Sequence, residues 1–380
     1  MVTRFFRPPE GDYFLFGPRG TGKSTWLRAA YQGALWLDLL APDVERRLVS
    51  RPERLRELVA GSDSEIVVID EVQRAPGLLT VVHQLIEERS GKRFVLTGSS
   101  ARKLKRTEVD LLAGRAVVRS LHPFMAAELG DRFDLERALV SGLLPVVWEA
   151  PNPQDTLAAY TSLYVREEVR GEALVRDLGA FQRFLEAISF SQAAPLNLSE
   201  VARECQVSRK TVDGYLAILE DLLLAFRVPV FTRRARRHLV AHPKLFLADL
   251  GVFRSLRPAG PLDRPEEIAG AALEGLVAQH LRAWIDYSRL DAELAYWRTR
   301  AGSEVDLIVY GANVFCAIEI KHAAELRRAD LRPLLAFRED YPEAQLRLLY
   351  RGVDKLEMEG IQCLPVDPFL RKLSPGQPLP

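Results

Sequence analysis

Four short apolar runs near the N-terminus, separated by polar stretches, set the frame for the chain. Residues 13–16 (YFLF) run straight into a glycine-rich segment, and residues 34–39 (ALWLDL), 65–70 (EIVVID) and 93–98 (RFVLTG) repeat the apolar pattern. Runs of this length predict strands buried on both faces. Residues 23–31 and 80–88 (TVVHQLIEE) between them have helical spacing. Strands alternating with helices predict a parallel α/β sheet. From about residue 120 the pattern turns helical, with amphipathic stretches at 154–190 and 196–224. Strands return near 244, at KLFLAD, AYWRT, EVDLIVY, CAIEIK and LRLLYR, with a helix at 267–287 among them. The expected fold class is α/β, in three parts: a core with a parallel sheet (1–120), a helical segment (121–240) and a second α/β segment (241–380).

The strongest chemical signal lies at the first strand–helix junction. Gly17-Pro18-Arg19-Gly20-Thr21-Gly22-Lys23-Ser24, followed by Thr25, fits G-x-x-x-x-G-K-[ST] with a strand before it and a helix after it. Glycines let backbone N–H groups close around phosphates. Lys23 is expected to reach the β and γ phosphates, and the Ser24 hydroxyl to ligate Mg²⁺ beside a helix N-terminus. The third run ends in Asp70-Glu71. Asp70 is expected to hold Mg²⁺ through water, and Glu71 to polarise the attacking water. The fourth run ends in Leu96-Thr97-Gly98-Ser99-Ser100, where a hydroxyl such as Ser99 is expected beside the γ-phosphate. The expected cofactors are ATP and Mg²⁺. The plainer alternative is a glycine turn with a surface lysine and two solvated acids.

Residues 196–228 (LNLSEVARECQVSRKTVDGYLAILEDLLLAFRV) carry a helix–turn–helix pattern. Ser199 is expected to cap one helix and Ser208 the next, with Gln206–Val207 as the turn. Val212, Tyr215, Leu216 and Leu219 face inward on this spacing, which leaves Arg209, Lys210, Thr211 and Asp213 outward, where a recognition helix meets bases or phosphates. VPVF and TRRARRH then read as a β wing, with Arg233, Arg234, Arg236 and Arg237 near its tip. Such a cluster attracts phosphate, so DNA is an expected partner. A winged helix used only for packing or protein contacts fits the same pattern.

Composition narrows the field. With 52 basic against 51 acidic residues the net charge is +1, so any nucleic-acid signal must be local. Three scattered cysteines, Cys205, Cys316 and Cys363, form neither a zinc motif nor a disulfide framework and fit a reducing cytoplasm. The N-terminal residues lack a signal-peptide core, and no apolar stretch reaches the roughly 18 residues of a membrane span. A cytoplasmic location without membrane contact is expected.

DEVQRAPGLLTVVHQLIEE, FVLTGSSARKL, LLAGRAVVRSLHPF and SGLLPVV resemble the bacterial and archaeal AAA+-type ATPases that carry a C-terminal domain of unknown function. The resemblance covers nearly the whole chain. It implies an AAA+ core, a homo-oligomer that completes its site across subunits, and Arg115 as an arginine finger or second sensor, with Arg102 as an alternative. Farther on, strand alternation puts Glu319 and Lys321 on one face and Ile318 and Ile320 on the other, and Glu304 and Asp306 likewise share a face. With Glu274 on the preceding helix, the order Glu…Asp-x12-Glu-x-Lys resembles the PD-(D/E)XK restriction-endonuclease-like fold. That resemblance implies Mg²⁺ bound by Glu274, Asp306 and Glu319, with Lys321 positioning or activating water for phosphodiester cleavage. The expected whole is an ATPase acting on DNA through a winged helix and a nuclease-like domain. The alternative is an ATP-controlled regulatory protein that binds protein partners, with an inactive nuclease-like domain.

Overall fold

The computed structural model describes residues 2–99, 111–164, 175, 177–233, 242–258, 260–261 and 263–380, which pack into two compact units. One comprises residues 6–123 with 219–223; the other comprises 1–5, 124–218 and 224–380.

The first unit is built on five parallel strands, β1 (Tyr13–Phe16), β2 (Leu35–Asp38), β3 (Ile66–Asp70), β4 (Arg93–Gly98) and β5 (Val117–Ser120), in the order β2-β3-β4-β1-β5. β1 is buried throughout, and β3 and β4 are buried after their first residue, as their apolar runs require. Phe14, Phe16, Ile69, Leu78, Val82 and Leu96 share the core. β5 is an edge strand with Val117 and Val118 exposed, so it carries no buried run for the sequence pattern to reveal. Because β4 lies between β1 and β3, the chain brings three strand ends together on one edge, where ligands of open α/β sheets bind.

The second unit begins with short helices. The expected continuous helix over 154–190 is broken: Pro153–Ala159 passes into a π-helical turn, Tyr160–Tyr164, and Asp177 starts a separate helix, Leu178–Ser189, by accepting from Ala180 N at 2.9 Å. Helices Leu198–Cys205 and Arg209–Asp221 follow. Their turn is at Gln206, whose φ of 57° ends the first helix. The first cap is Asn197, not Ser199: its carboxamide oxygen accepts from Ser199 N at 3.2 Å and Glu200 N at 3.3 Å. Ser208 caps as expected, accepting from Thr211 N at 3.1 Å. Val212, Tyr215, Leu216 and Leu219 are buried.

A small antiparallel sheet, ordered β6-β8-β7, accompanies these helices: β6 (Ala194–Pro195), β7 (Ala225–Val228) and β8 (Lys244–Leu247). VPVF does not extend β7 into a free wing. β7 stops at Val228, and the next residues run beside β9 (Ala292–Arg298), with Tyr296 N donating to Pro229 O at 2.9 Å and Phe231 N to Tyr296 O at 2.7 Å.

β9 is the edge of a six-stranded mixed sheet in the order β13-β14-β12-β11-β10-β9, with β10 (Glu304–Gly311), β11 (Val314–Lys321), β12 (Gln345–Tyr350), β13 (Leu356–Met358) and β14 (Ile361–Pro365). The core on one face contains Trp297, Ile308, Ala317, Phe337 and Leu348. Within this unit Asp249 fastens two segments by accepting from Leu143 N at 2.6 Å, Leu144 N at 3.0 Å and Gly251 N at 2.9 Å. Gly142 makes this possible, since a Cβ there would lie 2.0 Å from Asp249 Oδ1. The SGLLPVV block therefore has a packing reason.

Candidate functional site

The loop after β1 has the backbone that its glycines permit. Gly20 and Gly22 hold φ of 82° and 84°, a region costly to other residues, and Gly22 leads into the helix Lys23–Ala30. At Gly17 a Cβ would approach Leu121 O to 2.4 Å, so the strand end fits closely against the chain after β5. No atom lies within 4 Å of a Cβ built on Gly22, which leaves room over the loop. Thr21 donates its hydroxyl to Pro18 O at 2.8 Å. Lys23 is buried, and its ammonium donates to Gly17 O at 2.7 Å and Pro18 O at 3.3 Å. A cation held by its own loop's carbonyls stands where an anion above the loop can draw it over. Arg19 is exposed in the loop and Thr25 in the first turn of the helix.

The ends of β3 and β4 complete the site. Asp70 is buried and accepts from the Thr97 hydroxyl, and it hydrogen-bonds Ser24. Burial pushes its carboxyl above the usual range; the Thr97 and Ser24 hydrogen bonds oppose this, and the charges of Glu71 and Asp38 add to it. A dehydrated carboxylate beside a serine hydroxyl, repelled by other acids, is an oxygen donor set that suits Mg²⁺. Glu71 has φ of 59°, and its amide donates to Thr97 Oγ1 at 3.1 Å. The left-handed turn aims the carboxylate back toward β4. There Gln73 donates its side-chain amide to Glu71 Oε2 and to Ser99 Oγ at 3.2 Å, and Ser99 Oγ lies 3.4 Å from Glu71. Gln73 is a residue that the motif reading missed. Only its place two residues after Glu71, in an otherwise ordinary DEVQR segment, marks it in the sequence.

Arg115 makes a described ion pair on its own chain. It pairs with Glu87, at the end of the helix Leu78–Glu87. Arg102 and Ser100 lie outside the described residues.

In the second unit Arg209 and Lys210 are exposed at the start of their helix, as expected. Arg233 is held: it pairs with Glu293 at 3.1 Å and stacks 4.7 Å from the Tyr310 ring centre. Arg234, Arg236 and Arg237 lie outside the described residues.

The acids of the six-stranded sheet do come together, around a group absent from the expected set. Lys244, the fully buried first residue of β8, sends its ammonium to Glu274 at 2.8 Å, Glu304 at 2.6 Å and Asp306 at 3.6 Å. Lys321 pairs with Glu319 at 2.6 Å, and Asp306 Oδ2 accepts from Ile320 N at 2.8 Å. Burial drives the Glu319 carboxyl well above its ordinary range, with the Asp306 charge adding to this and Lys321 opposing it. Among the described residues, no group of three or more His, Cys, Asp or Glu side chains is arranged to hold a metal ion. The Mg²⁺ set implied by resemblance, Glu274, Asp306 and Glu319, thus faces two lysines. The signal for Lys244 was a charged residue opening an otherwise apolar strand, KLFL.

No described helix is long and apolar enough to cross a membrane. Residues 11–130 match a family model described as an AAA domain, which supports an AAA-type P-loop ATPase at this end of the chain. Residues 132–263 and 269–369 each match a domain of unknown function. Uncharacterized proteins of Mycobacterium tuberculosis and Mycobacterium bovis are each 25% identical over 368 residues, covering 94% of this chain and 80% of theirs. An uncharacterized protein of Haemophilus influenzae is 22% identical over 340 residues, covering 83% of this chain and 80% of its own. A solved Vibrio cholerae protein aligns over 95% of this chain and 96% of its own at 12% identity and a TM-score of 0.23, too low to define a shared fold.

Proposed function

We propose that the chain is a Mg²⁺-dependent ATPase whose turnover controls a DNA-binding module in the second unit. The observation that supports the ATPase reading is the junction of three strand ends, where Ser24, Asp70, Glu71, Thr97 and Ser99 form one hydrogen-bonded cluster with Gln73, on the edge that also carries the loop whose carbonyls hold Lys23.

In this reading the backbone amides from Gly17 to Ser24 receive the triphosphate, and Lys23 leaves Gly17 O to meet it. Bound Mg²⁺ supplies neutralisation of phosphate charge; Ser24 and Asp70 are the residues that would hold it. Glu71 orients and polarises the attacking water. Gln73 and Ser99 fix where the Glu71 carboxylate points, so general-base geometry is set before nucleotide arrives. Arg115, exchanged from Glu87 to a neighbouring subunit's phosphate, would complete the site in a homo-oligomer.

For DNA, the supporting observation is the order helix, short strand, helix, turn, helix and two strands over 178–247, with Arg209 and Lys210 exposed where a winged helix meets phosphate. A second reading, a switch for protein partners with an inactive nuclease-like domain, is favoured by one observation: Lys244 fills the acidic centre. ATP hydrolysis measured with and without duplex, single-stranded and branched DNA separates the two. DNA stimulation supports the first; DNA-independent turnover together with no DNA binding at low salt supports the second.

A further inference from the structure

The acidic centre of the six-stranded sheet is built from three elements, the helix Pro265–Ser288 (Glu274), β10 (Glu304 and Asp306) and β11 (Glu319). Most of the carboxylate oxygens of this centre are already engaged. Glu274 and Glu304 each give one oxygen to Lys244, and Glu304 gives its other to Arg298 at 2.9 Å. Asp306 turns one oxygen to the backbone of Ile320 and the other toward Lys244. Glu319 gives one oxygen to Lys321; its other is buried without a hydrogen-bond partner among the described residues.

The charges are close to balance without any added ion. Four carboxylates (Glu274, Glu304, Asp306, Glu319) face three cations (Lys244, Arg298, Lys321). A divalent ion added to this set would enter beside the Lys244 ammonium, whose charge repels it in a buried place where uncompensated charge is expensive.

Lys244 cannot easily step aside. It begins the middle strand of the small sheet, aligned with Pro195 on one side and Val228 on the other, and its ammonium lies 5.2 Å from the Tyr296 ring centre. Tyr296 in turn donates its hydroxyl to His242 O, just before the strand. Removing the ammonium from its carboxylates means opening the sheet or leaving the acids unpaired.

We propose that Lys244 is the resident cation of this centre: its ammonium stands where a divalent metal would be required, so the centre binds no Mg²⁺ or Mn²⁺ and cuts no phosphodiester bond. The lysine instead ties the helix-and-sheet module to the six-stranded sheet within the second unit. This goes beyond the ATPase reading and is independent of it, because its test uses nucleotide-free protein.

The test is Mn²⁺ binding to the full chain, read by electron paramagnetic resonance as free Mn²⁺ during a titration. Wild type and Asp306→Asn are expected to bind the same amount of Mn²⁺, so that any ion at the P-loop cancels. Lys244→Met is expected to gain one site, which Lys244→Met/Asp306→Asn loses. A wild-type site that disappears in Asp306→Asn, or Mn²⁺-dependent DNA cleavage by wild type that the same substitution abolishes, would overturn the proposal. Should Lys244→Met fail to fold, the comparison of wild type with Asp306→Asn decides alone.

Discussion

Gln73 holds Glu71. Its side-chain amide donates to Glu71 Oε2 and reaches Ser99 Oγ at 3.2 Å, so the acid after β3 and the hydroxyl after β4 are tied through one buried residue. In the proposed mechanism this makes Gln73 a positioning residue for the water-polarising carboxylate. Gln73→Leu is therefore expected to lower kcat about tenfold, a part of the roughly 10²- to 10⁴-fold that a positioned general base supplies. ATP affinity should stay within about twofold, since Gln73 touches neither Lys23 nor Ser24 in any described contact. Unchanged kcat would remove Gln73 from this role.

The second unit offers a stability prediction that no site residue enters. Gly142 has φ of 71°, and a Cβ there would strike Asp249 Oδ1 at 2.0 Å and Gly251 N at 2.5 Å. Gly142→Ala combines a strained backbone with overpacking and should lose roughly 2 kcal/mol or more. Thermal unfolding should show the transition of this unit lowered by several degrees. A transition identical to wild type would mean that the Asp249 bridge is not needed.

His280 gives a pH prediction. It is fully buried; its Nε2 accepts from Ala126 N at 2.9 Å, so Nδ1 carries the proton and donates to Leu276 O at 2.8 Å. Burial pushes its pKa down to about 4, with the Leu276 bond opposing. The unfolded chain, with a histidine near 6.5, takes up a proton first as pH falls, so stability is full above about 6.5 and declines from there toward 4. At pH 5 the decline from this residue is about 2 kcal/mol. In an NMR titration the His280 ring should remain neutral at pH 5; a midpoint near 6.5 would contradict this.

Arg209 and Lys210 carry the DNA prediction. Both are exposed. If they meet phosphates, Arg209→Ala/Lys210→Ala should weaken binding to all sequences alike and reduce the slope of log affinity against log salt by about one per lost contact. Binding with unchanged affinity and slope would place any DNA surface elsewhere.

Much of the first unit was legible because its central strands are buried on both faces. An apolar run ending in polar groups marks both a strand and the position of its C-terminal end, so Lys23, Asp70, Glu71 and Ser99 fell on the edge where they meet. The edge strand β5 had no such run. The caps show the limit of local reading: Ser199 and Asn197 are both good cap residues, and which one starts the helix depends on where the backbone turns, two residues apart. Lys244 and Arg233 show a different limit. Their partners, Glu274 and Glu304 for one and Glu293 for the other, are 30 or more residues distant. Nothing in the neighbourhood of KLFL or TRRARR reveals pairings made by a helix and strands that meet only in the folded chain. The short β13 and β14 escaped for a related reason, since each is stabilised by pairing with a neighbour rather than by an apolar run of its own.

The central claim is tested most directly by measuring ATP binding and Mg²⁺-dependent turnover on the same purified proteins: wild type, Lys23→Ala and Glu71→Gln. Wild type should bind and hydrolyse ATP, Lys23→Ala should lose binding, and Glu71→Gln should bind like wild type while turning over at least about a hundredfold more slowly. A folded wild-type protein that does not bind ATP with Mg²⁺ present, or a Glu71→Gln variant with wild-type turnover, would contradict the account.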